Sequence, residues 1–390
     1  MIRTTATALA AAVLLATSGA SAADAPPIKI GFVFSYDGAM TTYGHLVDDA
    51  ITAWMNVHGD TIGGRKVVII KRDDTGIAPE VAKRLATELI TQDNVDVLAG
   101  IEFTPNAIAV GDVSTQSKRP FFNLNAATSG IITKNPYMTR LGFTTAQITE
   151  PLAKWAFKNG IKRAYVLYTD YGPGVDASKA FAATFTAAGG TIVGNVGVPV
   201  TNSDFSAYVQ RIKDEKPQAV YLFLGSGAQP GQFLRSFTSA GLKKSIKLLA
   251  AGDLVDENLL PTFGDQADGL ITSLTYSNSH ASKENAAFRK ALAAVNGGKN
   301  PADFNAVAAW DIMHAIYAAI GAQNGGTDPD KIMASLKGMK WESPRGPVMI
   351  DPQTRGLVEN VYIRRTEKKN GQYVNTEIDS IPMVRDPYEK

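Results

Sequence analysis

Short apolar runs bounded by glycine or polar clusters alternate along this chain with longer segments whose apolar residues recur at helical spacing. Ile28–Phe34 (IKIGFVF) reads as a strand, and Tyr43–Asn56 as a helix carrying Leu46, Ile51 and Trp54 on one face. Gly63-Gly64 punctuate before a strand at Lys66–Lys71, and Pro79 with Glu80 opens a helix that runs to Thr91. A second series begins near Gln147. Helix Glu150–Lys158 precedes strand Ala164–Tyr168, then helix Val175–Ala188, Gly189-Gly190 and strand Thr191–Val198. Helix Phe205–Lys213, strand Ala219–Leu224, helix Gly231–Ala240 and strands at Lys247–Ala250 and Gly269–Tyr276 complete it. Strand and helix in strict alternation predict parallel sheets with crossover helices, an α/β fold.

The two series share an order: helix, Gly-Gly, strand, polar link, helix, and a strand ending in glycine. That echo points to two lobes of one architecture facing each other across a cleft. After Tyr276 long helices return at Lys283–Val295 and Asn305–Ile320, where Trp310 and Tyr317 fall on one face and read as core. The tail, with Gly346–Ile350 and Val361–Arg364, reads as short antiparallel strands. No Pro/Ser-rich linker separates the lobes, so the chain is expected to cross between them more than once.

Between Val97 and Ser129 lie two strand-to-helix turns in succession. Strand Val95–Ala99 breaks at Gly100 and Thr104-Pro105 starts a helix; strand Phe121–Leu124 breaks at Asn125 and Ala126-Ala127-Thr128-Ser129 follows. Such turns put hydroxyls and free N–H groups at the carboxyl edge of a parallel sheet, where ligands sit and where a helix start favours an anion.

Composition narrows the partners. A net charge of +2 with no block of like charges argues against nucleic acid or an anionic membrane surface. At the N-terminus Arg3, the apolar run Ala6–Ala16 and Ala20-Ser21-Ala22 predict a signal peptide over residues 1–22. No long apolar span follows it, so a soluble mature protein is expected. The chain has no cysteine. Disulfides and a lipid on an N-terminal cysteine are thereby excluded, and a free periplasmic protein stabilised by burial is expected.

Signs of catalysis are thin. His45, His58, His280 and His314 are scattered without metal-ligand spacing, and there is no G-x-S-x-G elbow, P-loop or G-x-G-x-x-G. Asp73-Asp74 reads as a solvated turn or a cap rather than an acid pair. No cofactor or metal is expected. The strand ends instead supply six turns: Ser35-Tyr36-Asp37-Gly38, Phe103-Thr104, Ala126-Ala127-Thr128, Asp170-Tyr171-Gly172, Gly225-Ser226 and Gly252-Asp253. Hydroxyls and N–H groups at a helix start suffice for a carboxylate. Asp253 is a natural partner for an ammonium. Tyr43, Phe103, Tyr171 and Phe223 offer apolar walls.

These same residues carry a resemblance. IKIGFVFSYDGAMTTYG with GGRKVVIIKRDD, the turns AGIEFTPNA and NLNAATSG, DYGPG after YVLYT, DFSAYVQRIKDEKPQAVYLFLG, and SPRGPVMIDPQT together resemble the leucine/isoleucine/valine-binding family of periplasmic solute receptors, which serve ABC importers. The resemblance covers nearly all residues after the signal peptide. It implies the type I fold, two Rossmann-like lobes joined by a three-crossover hinge and closing on a ligand. Lobe 1 is then expected at 28–146 plus 277–340, and lobe 2 at 147–276 plus 341–380.

Carried over by position, the resemblance implies ligand contacts at Tyr43, at Phe103 or Thr104 for the carboxylate, at Ala126 and Thr128 for the head group, at Tyr171, and at Asp253 for an ammonium; Ser226 stands where a second-lobe aromatic is usual. The usual Ser-Ser pair is Phe103-Thr104-Pro105 here, which adds a ring. The expectation is a monomeric, non-enzymatic receptor handing its solute to an ABC permease at the inner membrane. Its solute is a small hydrophobic carboxylate, most conservatively a branched-chain or related amino acid. The alternatives are an aromatic carboxylate such as a benzoate or phenylpropanoid, a sensory receptor of the same fold, or a hydrolase using Asp253 or Asp170 as base.

Overall fold

The computed structural model describes residues 25–225 and 228–389. The expected signal peptide and Ser226 lie outside the described residues.

The first lobe is built from β1 (Ile28–Phe34), α1 (Thr41–His58), β2 (Thr61–Ile62), β3 (Arg65–Asp73), α2 (Pro79–Thr91), β4 (Val97–Gly100), α3 (Thr104–Ser117), β5 (Phe121–Asn123) and β6 (Met138–Arg140). The chain then forms α4 (Thr145–Lys158), β7 (Arg163–Thr169), α5 (Gly172–Ala187), β8 (Thr191–Val198), α6 (Ser206–Glu215), β9 (Ala219–Phe223), α7 (Gln229–Ser239), β10 (Lys247–Ala251), α8 (Leu260–Phe263) and β11 (Ile271–Leu274). Helices α9 (Lys283–Asn296), α10 (Phe304–Gly321) and α11 (Pro329–Leu336) follow; α9 and α10 pack on α1 of the first lobe. Last come β12 (Lys340–Ser343), β13 (Gly346–Ile350), β14 (Leu357–Lys369) and β15 (Gln372–Val384), which join the second sheet.

Sheet order explains the echo in the sequence. The parallel strands run β3-β1-β4-β5-β6 in one lobe and β8-β7-β9-β10-β11 in the other, the same order relative to the chain. Central strand β1 is apolar on both faces because helices cover both. Its Phe32 and Phe34 sit in a core shared with α1 and α10, while Val33 faces the one under α2 and α3. Helix α10 is buried along most of its length, packed on α1 and α11; Trp54 of α1 meets Trp310 edge-on at 4.9 Å.

In each lobe the strand order reverses beside the first strand, at β1/β4 and at β7/β9. The carboxyl ends of those pairs open into the crevice where an α/β sheet takes ligand. Phe103 and Thr104 follow β4; Tyr171 follows β7 and Gly225 follows β9.

The tail departs from the short strands expected of it. Strands β14 and β15 are each 13 residues long, paired as one hairpin around Asn370-Gly371. Both turn residues have positive φ, 51° and 83°, the geometry of an Asn-Gly hairpin turn. The signal was present in the sequence, but charged side chains on β14 obscured the strand. Short β6, β12 and α11 were also not foreseen.

Candidate functional site

Helix α3 begins at Thr104, with Phe103 as its extended N-cap residue and Pro105 inside the first turn, where its missing N–H costs nothing. Phe103 supplies no side-chain cap, so the first amides of the helix are free to meet an anion. The Thr104 and Thr128 hydroxyls lie 2.9 Å apart and share a hydrogen bond, which brings the two successive turns to one point. Opposite them stands the start of α5. A Cβ on Gly172 would lie 2.8 Å from Thr128 Oγ1, so the lobes approach closely here and a side chain at 172 would displace that hydroxyl.

Behind the Thr128 turn sits Arg140, 1 % exposed. Its Nη1 donates to the carbonyls of Ala126 (3.0 Å) and Thr128 (2.8 Å), and its Nη2 pairs with Glu389 of the C-terminal segment. The guanidinium holds the turn from the rear and leaves the Thr128 hydroxyl facing the cleft.

Ala126 is not brought to the cleft. It is fully buried in the core under α2 and α3, its N–H donates to Asn123 Oδ1, and its carbonyl is taken by Arg140. Tyr43 is 4 % exposed; its ring lies 6.4 Å from Phe304 and its hydroxyl donates to Asp256 of the other lobe. Tyr171, the N-cap residue of α5, packs 6.1 Å from Phe223, and its hydroxyl lies over Gly225. An open groove of about 290 Å³ runs between Phe103 and Ile77 of one lobe and Thr169, Tyr171, Gly225 and Gln229 of the other. Asp253 sits in the turn after β10, half-buried.

Of the acids of this cleft, sequence reasoning named Asp253 and missed Glu102, Asp256 and Asp303. Glu102, 9 % exposed, accepts from Asn125 Nδ2 at 3.2 Å through Oε1, while Oε2 has no hydrogen-bond partner. Burial, then the nearby charges of Asp253 and Asp74, push its carboxyl up to about 8. Asp253 is raised to about 6, mainly by burial, and its Oδ1 is likewise unpartnered. Burial and the charges of Asp253 and Glu102 drive the Tyr171 hydroxyl far above the usual tyrosine range. Asp256 and Asp303 are both fully buried and both raised, chiefly by burial. The pair Asp73-Asp74 is not a solvated turn: Asp74 is fully buried and accepts from Ser35 Oγ (2.5 Å) and Asn106 Nδ2 (2.8 Å), tying the β1 turn to α3, while Asp73 caps Tyr36 and Thr75. Among the described residues no cluster of three metal-ligating side chains occurs, and no helix is long and apolar enough to cross a membrane.

Comparison with known proteins is consistent with this cleft. Residues 27–372 match the family model described as periplasmic binding protein. The Leu/Ile/Val-binding protein homolog 6 of Brucella abortus is 41 % identical over 370 residues, covering 94 % of this chain and 95 % of that one. A solute-binding protein of an ABC transporter from R. palustris, solved with 4-hydroxybenzoate, is 40 % identical with a TM-score of 0.89, covering 93 % of this chain and 98 % of its own. A second, from Rhodopseudomonas palustris BisB5 and solved with 3,4-dihydroxybenzoic acid, is 42 % identical with a TM-score of 0.88 over 93 % and 99 % of the two chains.

Proposed function

The chain belongs to the periplasmic binding protein family, as an ABC-transporter solute-binding component of the Leu/Ile/Val-binding kind, and from that premise we propose that its solute is an aromatic carboxylic acid of the benzoate class. A protein of this family binds and releases its solute; it is not a catalyst. The observation that carries the aromatic reading is the Thr104–Thr128 pair at the open N-terminus of α3, flanked by the Phe103 and Tyr171 rings. Two hydroxyls and helix-start amides hold a carboxylate, and the rings clasp a flat apolar body.

An α-amino acid fits less well. Its ammonium lies beside its carboxylate and needs acceptors close to the same turn. The Ala126 and Thr128 carbonyls there already accept from Arg140 and are not free to take an ammonium. The two relatives solved with hydroxylated benzoates support the same choice, whereas the curated relatives carry Leu/Ile/Val names.

In this reading residues 28–146 with 277–340 form one lobe and 147–276 with 341–380 the other. The monomeric receptor closes on the ring in the periplasm and the closed form docks on an inner-membrane ABC permease. Calorimetric titration of the purified protein against benzoates, phenylpropanoids and branched-chain amino acids tests it. Saturable one-to-one binding of a benzoate, with the amino acids weaker or silent, is expected. Tight binding of leucine with no response to any aromatic acid overturns it.

A further inference from the structure

Thr104, Thr128 and the rings account for the anionic and flat parts of the solute, but not for two carboxyl groups, one from each lobe, that each bury a bare oxygen at the cleft. Glu102 comes from the first lobe and Asp253 from the second. Each keeps one oxygen without a hydrogen-bond partner, Glu102 Oε2 and Asp253 Oδ1, although the surrounding protein excludes water from both. Asp253 is near enough to raise Glu102, and the Tyr171 hydroxyl feels both. Buried polar oxygens are normally satisfied, and leaving one bare is costly. Neither has a cation within ion-pair distance among the described residues; Arg364, the nearest to Asp253 in effect, spends its Nη2 on the Gly252 carbonyl at 2.8 Å.

Resting on the aromatic-acid reading, we propose that Glu102 and Asp253 form a subsite for a ring hydroxyl, so that the receptor selects hydroxylated benzoates over benzoate itself. A phenolic hydroxyl brings one donor and one acceptor on the plane of the ring. Asp253 accepts its hydrogen. Glu102, kept as a neutral acid by burial, donates its proton in a second hydrogen bond to the phenolic oxygen. A site built to bond a hydroxyl rejects the analogue that lacks it, because its own polar groups are then left unpaired. This goes beyond a general preference for aromatic acids: it ties the preference to two residues and to one substituent.

The test is calorimetry on the full-length mature protein with benzoate, 4-hydroxybenzoate, 3,4-dihydroxybenzoate, 4-methoxybenzoate and leucine. The expected result is at least one hydroxylated acid binding about 10- to 100-fold more tightly than benzoate and 4-methoxybenzoate. In Glu102→Leu and in Asp253→Ala that ratio falls toward one while benzoate still binds, which also shows that the variants fold. Should either variant fail to fold, the ratio in the wild-type protein and in the other variant decides. Equal affinity for benzoate and its hydroxylated forms overturns the subsite yet leaves the aromatic-acid reading standing. Leucine binding with no aromatic acid bound overturns both.

Discussion

Thr128 carries two connections on one residue: its hydroxyl meets Thr104 at the cleft, and its carbonyl accepts from buried Arg140. Replacing it with alanine removes only the first. Thr128→Ala is therefore expected to keep the fold and weaken binding of a benzoate by about 1.5–3 kcal/mol, the worth of one hydrogen bond to a charged group; unchanged affinity by calorimetry would remove the hydroxyl from the site. Glu102 makes a different prediction, because its effect needs no ligand. Folding raises its carboxyl from the ordinary glutamate range to about 8, so between those values the folded protein holds a proton that the unfolded chain has released. Its contribution to stability is complete at acid pH, declines as pH rises through that window, and is flat above it. Melting curves of the ligand-free protein should show this slope, and Glu102→Gln, which mimics the neutral acid, should flatten it. At this scale the sequence was only partly legible. The hydroxyls of Thr104 and Thr128 could be placed because strand–turn–helix patterns fix where such residues fall. Glu102, in the same turn, looked like any surface glutamate. What buries it is the fold around its turn, with Asn125 donating to it, contacts that no local pattern records.

Elements far apart in the chain hold the Thr128 turn in place. Strand β6 delivers Arg140 behind Thr128, and the C-terminal segment returns from the second sheet to neutralise it. Glu389 pairs with Arg140 and accepts from Gly130 N at 3.2 Å, and Asp386 accepts from Ser129 Oγ at 3.0 Å. Arg385 pairs with Asp351, which anchors the segment at its base. Truncation after Val384 leaves a buried guanidinium without its acid, a loss of roughly 3–5 kcal/mol. It also frees the turn that carries Thr128. The truncated protein should melt lower and bind its solute more weakly, with Glu389→Ala intermediate; a lower melting temperature at unchanged affinity would limit the segment to stabilising the fold. The alternating strands and helices were readable almost throughout, since buried parallel strands are apolar runs whatever their neighbours. Strands β6 and β12 escaped notice because so few residues pair, and β15 because its alternation is interrupted by charge. Helix α4 began a turn earlier than its apolar pattern, at a capping box where Thr144 and Gln147 satisfy each other's backbone amides.

For the whole molecule, two copies of one strand order face each other, and closure brings together groups that an open cleft would leave in water. The Tyr43 hydroxyl of one lobe donates to Asp256 of the other, and Asp303, capping α10 through Ala306 N at 2.7 Å, approaches Asp256 from the first lobe. Burial first, and then neighbouring negative charge, lifts both acids, Asp256 to about 6 and Asp303 well above the usual range, with Glu102 and Glu257 adding to the effect on Asp303. In an open form both return toward ordinary aspartate values. The closed form therefore binds more protons, so closure strengthens as pH falls through the raised values and weakens as pH rises. Solute affinity should thus increase between pH 8 and pH 6, a range in which a benzoate stays ionised. Calorimetry in two buffers of different ionisation enthalpy should detect protons taken up on binding. Asp303→Asn should reduce both the uptake and the slope, because one of the facing acids no longer titrates. Tyr43→Phe, which leaves Asp256 without its donor across the cleft, should weaken closure at every pH, and scattering of the ligand-free protein should then report a larger radius of gyration. Affinity independent of pH with no proton exchanged would mean that these carboxyls are already neutral before the lobes meet, and that they pack within a preformed floor of the cleft.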